Sequence, residues 1–193
     1  LSRHMKAEDI KNLHKAYIVG ISLGDGNLSN PNGRATRLRI TCDSKYPKLI
    51  EEIKNSLRIV FPKNKVSEIK RKNCIDISVY SNSLEELLGW KCGSKHAQSA
   101  TIPHKILYDK ILLTSCVKGL IQTDGSIYTD RGYEMINFTN KTKILAYDVY
   151  NSIIKLGFSP QVREVVFDGN TKYIVRLSKD VQRFKNEIGF WKE

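Results

Sequence analysis

The 193-residue sequence predicts an α+β fold of two pseudo-symmetric αββαββα halves, residues 5–100 and 101–193, with one helix from each half at the interface. Three observations carry this expectation. Tyr17-Ile18-Val19-Gly20-Ile21-Ser22-Leu23-Gly24-Asp25-Gly26 recurs as Cys116-Val117-Lys118-Gly119-Leu120-Ile121-Gln122-Thr123-Asp124-Gly125, its aspartate 99 residues further on, about half a chain length. Each copy carries small residues at helical spacing. After each copy the apolar period changes from helical to alternating and back, in the same order.

Read as helices, the copies place Ala16, Gly20 and Gly24 on one ridge and Ser115, Gly119 and Thr123 on the other. Small ridges let two backbones approach closely, while Ile18, Ile21, Val117, Leu120 and Ile121 bury sideways. Gly26 and Gly125 suit the left-handed position that ends a helix. Each helix then stops with its aspartate on the last turn, beside carbonyls, including those of Gly24 and Thr123, that lack helical partners. Side by side, the carboxylates, carbonyls and helix dipoles repel. A hard divalent cation with oxygen ligands relieves that conflict. One Asp-Gly pair alone would mark only a turn; two on matching ridges indicate a shared site.

The first half opens with a helix over residues 7–23. Asn27 to Ser29 begins a strand, and Asn30-Pro31-Asn32-Gly33 turns it, with Arg34 beyond. Residues 36–42 alternate, with Leu38 and Ile40 inward and Arg37, Arg39 and Thr41 outward. Paired outward arginines suit a DNA groove, although the pattern also describes an ordinary solvated face. Tyr46 to Val60 is an amphipathic helix, with Leu49, Ile50, Ile53 and Leu57 on its buried side. The basic stretch Lys63 to Lys72 forms a strand and loop whose Lys70, Arg71 and Lys72 meet phosphate. Cys74 to Tyr80 alternates, with Asp76, Ser78 and Tyr80 outward; Leu84 to Leu88 is a short helix.

The second half repeats the plan. Residues 106–123 form the second central helix. Ser126 to Tyr128 starts a strand, Asp130-Arg131-Gly132 turns it, and residues 134–139 return with Ile136 and Phe138 inward. Tyr128, Tyr133, Met135 and Asn137 face a partner. Residues 144–156 form a helix capped by Gly157. Gln161 to Phe167 and Lys172 to Ser178 make the last hairpin, offering Arg163, Lys172 and Arg176, and Val181 to Phe190 close the chain.

The paired stretches resemble the LAGLIDADG motifs of homing endonucleases, the single-chain type with two halves. Gly20, Asp25 and Gly26, then Gly119, Asp124 and Gly125, stand at the motif's third, eighth and ninth positions. The first copy departs at Ser22-Leu23-Gly24. The resemblance implies a curved antiparallel β saddle on double-stranded DNA and hydrolysis of both strands across a minor groove. Asp25 and Asp124 would hold two or three Mg²⁺ ions, with Mn²⁺ substituting and Ca²⁺ binding without supporting cleavage. The segment from Gly89 to Pro103 resembles the one preceding the second motif in this family, where a lysine reaches the active site; Lys95 is the choice and Lys91 the alternative. Thr139-Asn140-Lys141 matches strand ends that approach the scissile phosphates. Asn140 and Lys141 fit that role, whereas Cys42 and Asp43 at the equivalent place do not, which implies sites of unequal quality. The chain ends where a partner for Lys95 would be expected, which is read as a trimmed sequence or a genuinely single lysine.

Composition agrees. Formal charge is +12 and pI about 9.5, favouring a polyanionic partner, and no apolar run spans a bilayer. Cys42, Cys74, Cys92 and Cys116 lack zinc spacing and read as free thiols of a reducing compartment. No targeting segment is seen, so the expected location is the cytoplasm or an organelle matrix. Leu1 to His4 carry no pattern and are read as additions ahead of Met5. The expected protein is an intron-encoded, monomeric endonuclease that touches no membrane. Its alternatives are a maturase binding intron RNA and a catalytically silent DNA-binding protein. An intein is disfavoured, because no splicing block ending in His-Asn is present.

Overall fold

The protein was described from a computed structural model that covers residues 5–189 together with Trp191 and Lys192. Leu1 to His4 and the expected helix end at Phe190 lie outside the described residues. The first half runs α1 (Ala7–Asp25), β1 (Gly26–Ser29), β2 (Arg37–Asp43), α2 (Pro47–Val60), β3 (Ser67–Lys70), β4 (Cys74–Tyr80) and α3 (Leu84–Leu88). The second runs α4 (His104–Leu107), α5 (Lys110–Asp124), β5 (Gly125–Asp130), β6 (Tyr133–Asn140), α6 (Lys143–Lys155), β7 (Gln161–Phe167), β8 (Asn170–Leu177) and α7 (Val181–Ile188). The expected α+β class and helix-strand order are observed.

Each half folds into one antiparallel four-stranded sheet, in the orders β1-β2-β4-β3 and β5-β6-β8-β7. The topologies match strand for strand. Alternation assigns the faces: Leu28, Leu38, Ile40, Ile77 and Val79 are buried against α1 and α2, as are Ile136, Phe138, Val175 and Leu177 against α5 and α6. The opposite face of each sheet carries mostly exposed or half-buried side chains. The sheets therefore show alternation rather than continuous apolar runs.

α1 and α5 form the seam. Ile18, Ile21, Val117, Leu120 and Ile121 are all inaccessible to solvent. The ridges meet so closely that a Cβ on Gly20 would lie 2.0 Å from the Cys116 carbonyl oxygen, and one on Gly119 would lie 2.6 Å from that of Tyr17. Backbone faces backbone at both points, so no rotamer change makes room. Glycine is needed there for close approach rather than for flexibility.

Two local expectations are corrected. Gly26 and Gly125 are extended, with φ of −82° and −89°, not left-handed. Each helix passes straight into a strand, and a Cβ would strike the preceding turn, 2.7 Å from the Ser22 oxygen or 2.2 Å from the Ile121 oxygen. The second central helix is also not continuous over residues 106–123. It breaks at Tyr108-Asp109, because the Asp109 carboxylate accepts from the Ile111 and Leu112 amides and starts α5 afresh.

Among the described residues no helix is long and apolar enough to cross a membrane. The seam yields a stability prediction. Gly119→Ala should lower unfolding free energy by about 3 kcal/mol or prevent folding, since its methyl meets main chain. Urea unfolding followed by far-ultraviolet circular dichroism checks this; a loss below 1 kcal/mol would show that the helices can part.

Candidate active site

Because α1 and α5 pack in register, their last residues Asp25 and Asp124 lie at one pole of the molecule. A Cβ on Gly24 would meet the Thr123 side chain, so the two helix ends touch. Asp25 is open to solvent on one side, yet protein atoms crowd its others and raise its carboxyl. Asp124 is pushed up to about 6, chiefly by burial and further by the charge of Asp25. The Asn140 amide, which donates to Asp124 Oδ2 at 2.7 Å, pulls the other way. The expected pair of acids at adjacent helix ends is observed.

Two lysines answer this concentration of negative charge. Lys95 Nζ donates to three successive carbonyls at the end of α1: Ser22 (2.9 Å), Leu23 (2.9 Å) and Gly24 (2.6 Å). These are among the groups that a helix C-terminus leaves unsatisfied. Burial lowers the Lys95 ammonium pKa, and Asp124 and Asp25 raise it. Lys192 Nζ donates to the Thr123 carbonyl at the end of α5, at 3.3 Å. Its charge opposes the upward shifts of both aspartates. Lys192 was missed in the sequence, although a signal existed: Lys95 follows Asp25 by 70 residues and Lys192 follows Asp124 by 68. Lys91, the alternative to Lys95, is exposed, and its main chain pairs with Gln98 instead.

The arrangement is crossed. One cavity of about 550 Å³ gathers Gly24, Lys95, Asp124, Asn140 and Lys141. Another of about 180 Å³ gathers Asp25, Cys42, Asp43, Lys45, Thr123 and Lys192. Each therefore joins an aspartate of one helix to a carbonyl-bearing residue of the other and to one half-buried lysine that caps a helix end. Among the described residues no three His, Cys, Asp or Glu side chains converge. A cation here would rest on one or two carboxylates and main-chain oxygens, with the remaining positions left to solvent and substrate. That oxygen-only set, already drawing in an ammonium at the Gly24 and Thr123 carbonyls, fits Mg²⁺, Mn²⁺ or Ca²⁺.

The cavities differ in quality. Asn140 holds Asp124, but its counterpart beside Asp25 is Cys42, a thiol pushed up to about 12 by burial and by the Asp25 charge. Asp43 and Lys45 pair with each other at 3.0 Å instead of supporting Asp25.

The open sheet faces carry most of the anticipated binding side chains. Cross-strand register aligns Asn27, Arg39 and Ser78 in one row, and Ser29, Arg37 and Tyr80 in the next, with Thr41 nearer the acids. In the second sheet Tyr128, Asn137, Lys172, Arg163 and Arg176 share the corresponding face, the Arg176 guanidinium lying 5.7 Å from the Tyr128 ring centre. Tyr133 stands exposed at the hairpin tip, and Arg34 and Lys72 in exposed turns.

Two residues do not fit this surface. Lys70 pairs with Ile75 and so points to the helix side of its edge strand, a consequence of strand parity. Asp76 faces outward but is buried: its oxygens accept from Thr41 at 2.7 Å and from Arg71 Nε at 2.8 Å. Those bonds hold its carboxyl below the usual range, the Thr41 bond most strongly. Asp76 therefore orients Arg71 rather than meeting a polyanion itself.

Residues 113–189 match the LAGLIDADG-like domain family. The fold is that of the homing endonuclease I-DmoI: its complex with DNA and Ca aligns with a TM-score of 0.70 at 21% identity, covering 92% of this chain and 90% of that one. The complex with DNA and Mn gives 0.67 at 19%, covering 92% and 97%. The N-terminal LAGLIDADG domain of DUF199/WhiA aligns at 0.60 and 16%, covering 99% and 96%. No curated protein sequence matches. The resemblance carried by the two motifs is thus borne out, and so is the two-sheet fold.

The raised Asp124 carboxyl yields a prediction. A carboxyl that titrates near 6 when folded and at 3.8 when unfolded adds stability below pH 4, lost as pH rises through 6. Asp124→Asn should therefore stabilise the protein by about 1–2 kcal/mol at pH 8 and hardly at all at pH 4. Urea unfolding across that range checks it; an equal change at both ends would contradict the burial argument.

Proposed function

We propose that this LAGLIDADG-fold protein, organised as halves over residues 5–100 and 101–193, is a site-specific DNA endonuclease that cuts both strands with a divalent cation. The observation that carries this reading is the pairing of two acids whose carboxyls are raised by surrounding protein with two half-buried lysines at the touching ends of α1 and α5. A protein that only binds DNA has no use for so costly a cluster of charge. The fold alone does not decide, since WhiA carries it as well as I-DmoI.

The residues divide the work. Asp25 with the Thr123 carbonyl, and Asp124 with that of Gly24, would hold Mg²⁺, and Mn²⁺ in its place. When bound, the cation supplies charge against the phosphate and acidity to an attacking water. Lys95 and Lys192 keep a positive charge beside the place where the phosphate gains negative charge. Asn140 fixes the orientation of Asp124, and exposed Lys141 lies where strand β6 ends, close to the phosphate path. The open sheet faces meet the major groove, where strands can read base edges: Arg37, Arg39 and Arg176 are the readers, with Asn27, Ser78 and Asn137 beside them. Arg71, braced by Asp76, grips phosphate.

Asp124, with its amide support, is the better-equipped acid; Asp25, beside a thiol, is the poorer. The two strands are therefore cut at unequal rates. Ca²⁺ supports binding without cleavage, and a single copy of the chain suffices because both halves are present. A second reading, a maturase that binds intron RNA, needs no intact acids and gains nothing from the lysines.

Two outcomes test this. With Mg²⁺, the protein should cut a site recovered from a randomised duplex library, with nicked product appearing before linear. Asp25→Asn or Asp124→Asn should reduce double-strand cutting at least about 1000-fold while changing DNA affinity less than about fivefold, because affinity resides in phosphate contacts. Gel assays of cleavage and of binding in Ca²⁺ measure both. Intact cutting by either variant, or no cutting by the parent in Mg²⁺ or Mn²⁺, would remove the nuclease reading.

A further inference from the structure

Beside the Asp25 cavity lies a part-buried polar cluster that the proposed chemistry does not use. Lys118 and Gln122 stand one turn apart on α5, with Glu52 of α2 facing both. Glu52 Oε1 takes the Lys118 ammonium, and Glu52 Oε2 accepts from Gln122 Nε2 at 3.2 Å. Gln122 is wholly buried, and the same amide nitrogen donates to the Trp191 carbonyl at 3.1 Å. The Lys118 ammonium sits between two rings, 5.6 Å from the centre of Tyr17 and 5.5 Å from that of Trp191.

These contacts fall on a segment outside regular structure, whose Trp191 ring also packs against the core. α7 ends at Ile188, Gly189 turns left-handed at φ 69°, and Trp191 and Lys192 have no regular structure. The next residue after the gripped carbonyl is Lys192, whose ammonium reaches the Thr123 carbonyl and lies 5.4 Å from the Tyr46 ring centre. Gln122 and Thr123 are themselves adjacent, so the clamp and its target share one turn of helix.

We propose that Glu52, Lys118 and Gln122 are positioning residues that clamp Trp191 and thereby deliver Lys192 to the Asp25 cavity. The inference rests on the nuclease reading for its catalytic consequence, but the clamp itself does not. Both amide protons of Gln122 are directed at once, one to Glu52 and one to Trp191, so the carboxylate sets the direction in which the amide grips. Lys118 neutralises Glu52, which would otherwise be a partly buried lone charge.

Lys95 is held differently. Its loop is fixed by His96 Nδ1 against Thr142 Oγ1 at 3.0 Å, by Gly93 N donating to the Leu28 carbonyl, and by Ala100 N donating to the Lys95 carbonyl. None of these bonds involves the cluster. Loss of the clamp should therefore weaken the cavity served by Lys192 and spare the one served by Lys95, turning a double-strand cutter into a nicking enzyme.

The experiment uses the full chain in a Trp90→Phe background, which leaves Trp191 as the one tryptophan. Gln122→Leu removes both amide donors at similar size; Glu52→Gln is the milder companion should the first fail to fold. Either variant should red-shift Trp191 emission and increase its quenching by acrylamide. On a duplex carrying the selected site, labelled on each strand, cutting of one strand should fall at least tenfold and the other less than twofold. The affected strand should be the one that Lys192→Met slows, and the double variant Gln122→Leu/Lys192→Met should be no slower than Lys192→Met.

Unchanged Trp191 emission overturns the clamp, whatever the catalysis. Equal slowing of both strands, or slowing of the strand that Lys192→Met spares, overturns its positioning role. A parent that cuts nothing removes the nuclease reading, and the fluorescence result still decides whether the clamp exists.

Discussion

Two helices whose backbones touch and run parallel bring their like-charged ends together, and the rest of the molecule accommodates that fact. Gly20 and Gly119 allow the contact, each presenting a bare Cα to the main chain of the other helix. Parallel ends bring two sets of unpaired carbonyls and two aspartates to one pole. No amount of apolar packing along the seam cancels that charge. Cations must do so, and the chain supplies two of its own from segments remote in sequence, Lys95 and Lys192.

The internal ammonium groups also explain how such a pole can exist with no cation supplied from outside. Lys95 occupies three carbonyls at the end of α1, a task usually left to water or a capping turn. The remaining strain appears in the acids, whose carboxyls are raised by burial rather than settled by ion pairs. Stability and chemistry are opposed here: groups raised by burial bind protons or metal ions more readily than exposed ones. Such opposition is expected at functional sites.

Much of this was legible because it follows from spacing. The seam was visible as small residues four apart, the acids as the last residues of those runs, and the sheet faces as alternation. What alternation cannot reveal is what covers an outward residue. Asp76 has the parity of a surface contact, yet Thr41 and Arg71 enclose it. Lys70 failed for a related reason, since a basic run says nothing about parity on a short edge strand. Gly26 and Gly125 invited a left-handed reading by habit, whereas a direct helix-to-strand passage needs only the missing Cβ. The break before α5 was hidden because Asp109 resembles any polar helix residue until its carboxylate is seen on two amides. Lys192 lies in a segment without periodicity; the resemblance put a partner for Lys95 at the end of the chain, and the match between the Asp124–Lys192 and Asp25–Lys95 separations singles it out.

Pseudo-symmetry in this chain is one of architecture and not of parts. The same topological place holds Asn140 in one half and Cys42 in the other, so one acid is fixed by an amide and the other borders a thiol. The lysines reach matching helix ends by unlike supports, one from a loop between the halves and one from a segment gripped through Gln122. Duplicated helices force both ends of the seam to meet the same electrostatic demand. They place no such demand on the segments that answer it, which lie outside the seam and are free to differ. Symmetry is therefore strict where backbone meets backbone and relaxes with distance from that contact. Each half can therefore specialise its strands and its acid without disturbing the glycines they depend on, which under the proposed nuclease reading suits an asymmetric duplex.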